Sequence, residues 1–383
     1  MQLKQLGLTA LVTFLTGVST PALALTARQQ PLGTQWLKRS PQPGTEQLQA
    51  LDYEFDQWFK QGRTLLQQGN YTEALKAFER AVRINPKNPL AWEGRGRALY
   101  ELKRYQDAVA AYHRALEFNS QSISAWVNLG NALDDAGKSQ EALNAYEQAL
   151  QIDSNSVSAW YNRGITLRRL KRYEEAVAAY DQVVKLRPDY ENAWYNRANA
   201  LIQLKRYEEA IDSYDQVIAI NPKNEYAYYN KGITLRKLER YEQALAAFDR
   251  VVLLNPDDDK AWYNRGIVLE NLKRQDEALT AFDRVVKLNP KLSSGWFKRG
   301  NALFKLEQYQ EAVASYDQAI ALEPSAENAW FNRGLALVNL ERYKDAIASF
   351  DEALRINPNN TQAQENRNRL QRSMGRRQEP EVV

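Results

Sequence analysis

The chain of 383 residues has no cysteine and a single histidine, His113. Without cysteine there are no disulfides, no thiolate metal sites, no cysteine nucleophile and no lipidated lipoprotein cysteine. One histidine excludes a multi-histidine metal cluster and makes Ser-His-Asp chemistry a poor fit. No Gly-x-Ser-x-Gly, His-Glu-x-x-His or phosphate loop occurs. Gly94-Arg95-Gly96 hints at a nucleotide loop but lacks the strand that must precede one. An excess of one charge is also missing. Lys+Arg 51 against Asp+Glu 47 leaves +4, too balanced for a dedicated nucleic-acid binder. A catalytic class is therefore not expected, and neither is a nucleic-acid partner.

Long apolar runs are absent after the first thirty residues. At the start, Lys4 precedes an apolar stretch from Leu6 to about Val18, and Pro21-Ala22-Leu23-Ala24 follows. That order reads as a secretory signal peptide over 1–24, cleaved after Ala24, since the stretch falls short of a membrane span. A cysteine-free exported chain fits a bacterial periplasm, with membrane association only through a partner. Residues 25–54, with Pro31, Gly33, Pro41, Pro43 and Gly44, read as a flexible linker.

Aromatic residues are plentiful and regularly placed. Tryptophans stand at 58, 92, 126, 160, 194, 262, 296 and 330, on a spacing of 34 residues that skips only Tyr228. A fixed period of that length is the mark of a solenoid. In the unit starting at Val157, Trp160, Gly164 and Leu167 share one helix face. Ala176, Tyr180 and Val183 repeat the spacing on a second helix, which Pro188 ends. Glycine and alanine mark the close approach of the two helices, and large rings fill the space between successive pairs.

These residues resemble the tetratricopeptide repeat, or TPR. Nine units run in register: 55–88, 89–122, 123–156, 157–190, 191–224, 225–258, 259–292, 293–326 and 327–360. The resemblance implies an all-α, right-handed superhelical solenoid. Residues 361–374 read as a polar capping helix, with a frayed tail over 375–383. Ser120 and Ser154 replace the terminal proline, so looser junctions are expected after repeats two and three. Ser139 and Gln275 replace the turn tyrosine, and Ala198 the glycine. Position seven carries Arg95, Arg163, Arg197, Arg265, Arg299 and Arg333, whose stems should pack while the heads reach water or a carboxylate.

In this family a partner lies in the concave groove lined by the first helices. By that resemblance the groove would carry Asn128, Asn162, Asn196, Asn230, Asn264 and Asn332 at position six. Side-chain amides both donate and accept, which suits an extended peptide backbone. Tyr161, Tyr195, Tyr229 and Tyr263 at position five either face a ligand or close the array's own helix contacts. Arg168, Arg169, Arg236 and Lys237 make the middle of the groove basic, able to grip carboxylates. Lys171-Arg172 and Glu174-Glu175 complement helix dipoles instead.

Any metal would have only oxygen ligands, which suits calcium, magnesium or manganese. The Asp181, Asp215, Asp249, Asp283, Asp317 and Asp351 series is too widely spaced to share an ion. Asp257-Asp258-Asp259 and Asp134-Asp135 are the local candidates, though a solvated acidic turn is the favoured reading of each. No cofactor is obligatory on this reading.

The whole layout, a leader followed by nine TPR units, is similar to the periplasmic processing-associated TPR proteins of cyanobacteria. That resemblance implies photosystem II assembly, binding of the carboxyl-terminal tail of the reaction-centre precursor, and delivery of manganese. The alternative is an envelope-assembly, secretion or polysaccharide scaffold with no metal role.

Overall fold

The computed structural model describes residues 43–376, with side chains described over 47–374. The signal peptide, Trp36 and most of the linker and tail lie outside the described residues. Among the described residues there are helices and turns but no strand. Two units are distinguished, 1–51 and 52–383. The described part of the first is helical. The second holds the repeats.

The helices run α1 (Pro43–Gln67), α2 (Tyr71–Ile84), α3 (Pro89–Glu101), α4 (Tyr105–Phe118), α5 (Ile123–Asp135) and α6 (Ser139–Ile152). They continue with α7 (Val157–Arg169), α8 (Tyr173–Leu186), α9 (Glu191–Gln203), α10 (Tyr207–Ile220), α11 (Glu225–Lys237) and α12 (Tyr241–Leu254). The last are α13 (Asp259–Asn271), α14 (Gln275–Leu288), α15 (Ser293–Lys305), α16 (Tyr309–Leu322), α17 (Glu327–Asn339), α18 (Tyr343–Ile356) and α19 (Thr361–Arg376). From α3 to α17, every first helix starts on the residue that opens its repeat. Two expected boundaries move. Helix α1 starts at Pro43, so 43–54 is helical rather than linker, and the cap reaches Arg376. Proline near a helix start costs nothing, because its missing N–H is unpaired there in any case.

Each helix pair packs within its repeat and against the next. The packing follows from size. A Cβ on Gly164 would stand 2.6 Å from the Tyr180 ring, and one on Gly300 would stand 2.5 Å from Tyr316. Ala176, Tyr180 and Val183 are fully buried between the layers. The turn between paired helices is left-handed at position fifteen of all nine repeats, with φ from 57° to 82°. Only Gly69 and Gly137 are glycines there; the others are Lys or Glu. In repeat four, Arg172 N donates to Leu167 O at 2.9 Å and Lys171 N to Arg168 O at 3.0 Å. Those two bonds close the helix end and hold the backbone in a conformation that lysine by itself disfavours.

The tryptophans fasten successive repeats. From Trp92 onward each indole N–H donates to the carbonyl of the residue six before it, as Trp194 to Pro188, Trp262 to Pro256 and Trp296 to Pro290, all at 2.9 Å. Trp126 and Trp160 make the same bond to Ser120 and Ser154 at 2.9 Å. The bond survives the change from proline to serine, because the indole binds a backbone carbonyl and does not need the proline ring. Among the described residues no helix is long and apolar enough to cross a membrane.

Candidate functional site

The tyrosines and asparagines chosen from the sequence form one ladder. Tyr161, Tyr195, Tyr229 and Tyr263 lean on the buried rings of Tyr180, Tyr214, Phe248 and Phe282, at centroid distances of 6.1, 6.0, 5.8 and 6.0 Å. Three hydroxyls accept from the next repeat: Asn196 Nδ2 reaches Tyr161 at 3.0 Å, Asn230 reaches Tyr195 at 2.9 Å, and Asn264 reaches Tyr229 at 3.1 Å. Asn332 donates instead to Asn301 Oδ1 at 2.9 Å. Asn264 gives its other proton to Lys260 O and is 8% exposed, so it offers a ligand little. Asn128 and Asn162 lack the tyrosine because Glu93 and Val127 precede them at position five. Asn196, Asn230 and Asn332 keep one N–H and the carbonyl oxygen free.

The four basic residues are not equivalent. Arg169 is neutralised within the fold, 3.1 Å from Asp134 and 3.5 Å from Asp135. Lys237 lies over the Tyr207 ring at 5.2 Å. Arg168 and Arg236 have no carboxylate partner among the described residues. The expected basic middle of the groove thus narrows to these two.

The acidic residues serve the fold. Asp181, Asp249, Asp283 and Asp317 each accept from the position-seven arginine of the following repeat at 2.6 Å: Arg197, Arg265, Arg299 and Arg333. Those guanidiniums also lie 5.5–5.9 Å from the tryptophan ring of their own repeat. Arg197, Arg299 and Arg333 reach the fully buried hydroxyls of Ser213, Ser315 and Ser349 as well. Between repeats two and three both partners change, for Leu129 follows His113.

The proposed metal carboxylates are engaged too. Asp258 caps α13 by accepting from Lys260 N and Ala261 N at 2.9 and 3.0 Å. Asp257 pairs with Arg284 at 3.3 Å, and Asp259 accepts from Asn289 at 2.7 Å. Asp134, 6% exposed, accepts from Ser139 and Thr166 beside Arg169, and Asp135 accepts from Tyr100 at 2.6 Å. Among the described residues no group of three or more His, Asp or Glu converges that could hold a metal ion. Sequence adjacency suggested clusters, but the backbone turns these side chains to different partners.

No groove residue named from the sequence stands at position nine. Tyr146, Tyr214 and Tyr316 donate to Asn131, Asn199 and Asn301 at 2.8, 2.8 and 2.9 Å. Repeat four has Ile165 there, and the buried Tyr180 hydroxyl is left without a partner. Burial pushes the phenol pKa of Tyr180 and Tyr214 well above the usual tyrosine value; at Tyr180 the nearby Arg168 opposes the shift. The recurrence of Asn at one repeat position was the available signal. Two cavities open beside these pairs. One, of about 420 Å³, is bounded by Arg168, Asn199, Gln203, Tyr214 and Asn230. The other, of about 400 Å³, is bounded by Glu270, Lys298, Asn301, Lys305, Tyr316 and Asn332.

Helix pairs of fixed length, fastened to one another by an indole at every junction but the one at Tyr228, define a helical-repeat protein. Tetratricopeptide repeat families match residues 59–123, 127–191, 229–293 and 297–361, and another matches 191–224. The chain belongs to the tetratricopeptide repeat family. Among curated proteins, none matches significantly. Similar solved structures include YrrB, described as a TPR protein with an unusual peptide-binding site. It is 22% identical over 49% of this chain and 96% of its own, with a TM-score of 0.45. MamA from Desulfovibrio magneticus RS-1 is 28% identical over 43% of this chain and 92% of its own, with a TM-score of 0.39. A repeat protein from Parabacteroides merdae ATCC 43184 is 18% identical over 74% and 99%, with a TM-score of 0.40.

Proposed function

We propose that the chain is a scaffold, not an enzyme, that holds an extended segment of a partner protein along the groove face of its first helices. The observation that carries this reading is the row of half-buried amides. Asn196, Asn230 and Asn332 are fixed by one hydrogen bond each and keep a donor and an acceptor. A backbone in extended form needs such partners at regular intervals. The test is a randomised twelve-residue peptide library (~12 residues span the row at about 3.3 Å each) panned against the chain. Selected peptides should lose about tenfold affinity for the Asn196→Ala/Asn230→Ala variant, an effect on the order of one lost hydrogen bond. Equal affinity for the variant, with its helix content unchanged by circular dichroism, removes the groove reading.

The finer reading is an exported, periplasmic protein whose partner segment is the carboxyl-terminal tail of a photosystem II reaction-centre precursor. The leader at the start of the sequence and the whole-chain layout support it, and the unpaired guanidiniums of Arg168 and Arg236 suit a terminal carboxylate. A synthetic tail peptide should bind several-fold more tightly as the free acid than as the amide. Equal binding by a scrambled tail removes this reading and leaves the scaffold. Manganese does not fit the carboxylates described, each of which already accepts from a protein donor, so no step is routed through a metal.

A further inference from the structure

The groove cavities beside Asn199 and Asn301 share one frame built twice, with the charged residue at one position reversed from Arg168 to Glu270. Asn199, Gln203, Tyr214 and Asn230 in one occupy the repeat positions of Asn301, Lys305, Tyr316 and Asn332 in the other, three repeats later. In both, a buried tyrosine hydroxyl donates to the asparagine carbonyl, at 2.8 and 2.9 Å. That bond fixes the amide so that its NH2 is left for a ligand; at neither residue does it meet a partner within the array.

Each cavity adds a cation. Arg168 stands at the first without a carboxylate. At the second, Lys298 and Lys305 lie 2.8 and 4.0 Å from Glu270, whose side chain is 9% exposed, so two positive charges meet one negative. Free N–H groups and surplus positive charge call for an acceptor-rich anion, a carboxylate. The remaining Asn–Tyr pair is built differently. Beside Asn131 and Tyr146, Asp134 and Thr166 bond to one another at 2.8 Å and Arg169 closes over Asp134, so the charge is neutralised internally.

We infer that the groove recognises a partner segment by two acidic side chains held at once, one at each cavity. This inference rests on the groove reading above and adds the spacing of the anchors. First helices packed at about 10 Å per repeat place the two cavities roughly 30 Å apart. An extended chain covers that distance in about nine residues at ~3.3 Å each. Acids closer together cannot reach both cavities, and acids further apart must loop out the excess.

The experiment uses fluorescein-labelled, carboxyl-amidated Gly/Ser peptides carrying two glutamates separated by three to fifteen residues, with single-glutamate peptides as references. Polarisation with the full chain should show a maximum when about eight residues intervene, at least tenfold tighter than either single-glutamate peptide. The Arg168→Ala and Lys305→Ala variants should each reduce the best peptide to single-anchor affinity and flatten the spacing curve. A diacidic series that binds with no dependence on spacing overturns the two-anchor inference and leaves groove binding standing. If no peptide binds at any spacing, while library-selected peptides do bind the amide row, the acidic anchors are likewise overturned. Failure of both probe sets removes the groove reading itself.

Discussion

The junction between repeats five and six is built differently from the one that follows it. Between six and seven, Trp262 donates to Pro256 O at 2.9 Å, and Arg265 lies 5.5 Å over the Trp262 ring while binding Asp249 at 2.6 Å. Between five and six, Tyr228 replaces the tryptophan and makes no bond to Pro222. Lys231 replaces the arginine and keeps only the ion pair with Asp215. An outer cavity of about 470 Å³ opens there, bounded by Ile211, Tyr228, Lys231, Leu235 and Arg250 among others. The buried core also changes there, with one contiguous set ending at Ala227 and another beginning with Ile211 and Leu235. One indole therefore does three jobs at a regular junction: it fills volume, ties a carbonyl and supports a cation. Losing it opens volume and frees the carbonyl, and the tyrosine ring in its place carries a different cation, Arg250 at 5.6 Å.

This comparison can be broken by substitutions on each side. The largest effect is expected at the close-approach glycines. A Cβ on Gly266 would stand 2.5, 2.7 and 2.9 Å from three Phe282 ring atoms, whereas one on Gly232 would stand 2.9, 3.0 and 3.0 Å from Phe248. Gly266→Ala should cost about 2 kcal/mol in urea unfolding, within the usual range for overpacking, and Gly232→Ala no more than about half of that. Equal costs would show that repeat six is packed as tightly as repeat seven.

Next comes restoration of the missing ring. Tyr228→Trp should raise stability by about 1 kcal/mol by supplying the indole donor for Pro222 O. The gain should appear as slower amide exchange in α10 and α11, since repeat arrays couple mainly to their neighbours. An unchanged exchange pattern would assign the weakness of this junction to something other than the indole.

A smaller effect should be the same in both repeats. Glu239 and Lys273 hold φ of 57° and 61° at the turn. Glu239→Gly and Lys273→Gly should each add about 0.5–1 kcal/mol in thermal unfolding, because glycine enters the left-handed region without the Cβ penalty. Unequal gains would mean that the turn senses the junction.

Smallest is Lys231→Arg, expected to add only about 0.3 kcal/mol, as partly exposed ion pairs do. A double substitution with Tyr228→Trp sharpens the point. If the guanidinium needs the indole beneath it, the pair should gain more than the sum of the singles.

The sequence already marked both kinds of junction. The spacing of 34 residues located every first helix from α3 to α17, and the skipped tryptophan pointed to Tyr228. The arginine heads were legible as carboxylate seekers, though not which carboxylate. The candidate site was half legible. Position six was recognisable as a row of amides, but not that Asn196 and Asn230 each lend a proton to a tyrosine thirty-five residues earlier. The acidic turn at 257–259 had the composition of a cation site and the geometry of a helix cap. Position fifteen gave no warning in the seven repeats without a glycine there, because lysine and glutamate carry no preference for a left-handed backbone.

The sequence by itself determined the helices, their lengths and their register, because apolar spacing, glycine, alanine and proline act within one repeat. Tertiary structure alone decided which polar groups remain for a partner. Arg169 is closed by Asp134 and Asp135 while Arg168, its neighbour in the chain, is not. Asn199 and Asn301 keep their NH2 groups while Asn264 gives away both protons. These outcomes depend on how one repeat is staggered over the next. The stagger is set by side-chain volumes across the junction, a quantity that no single repeat contains.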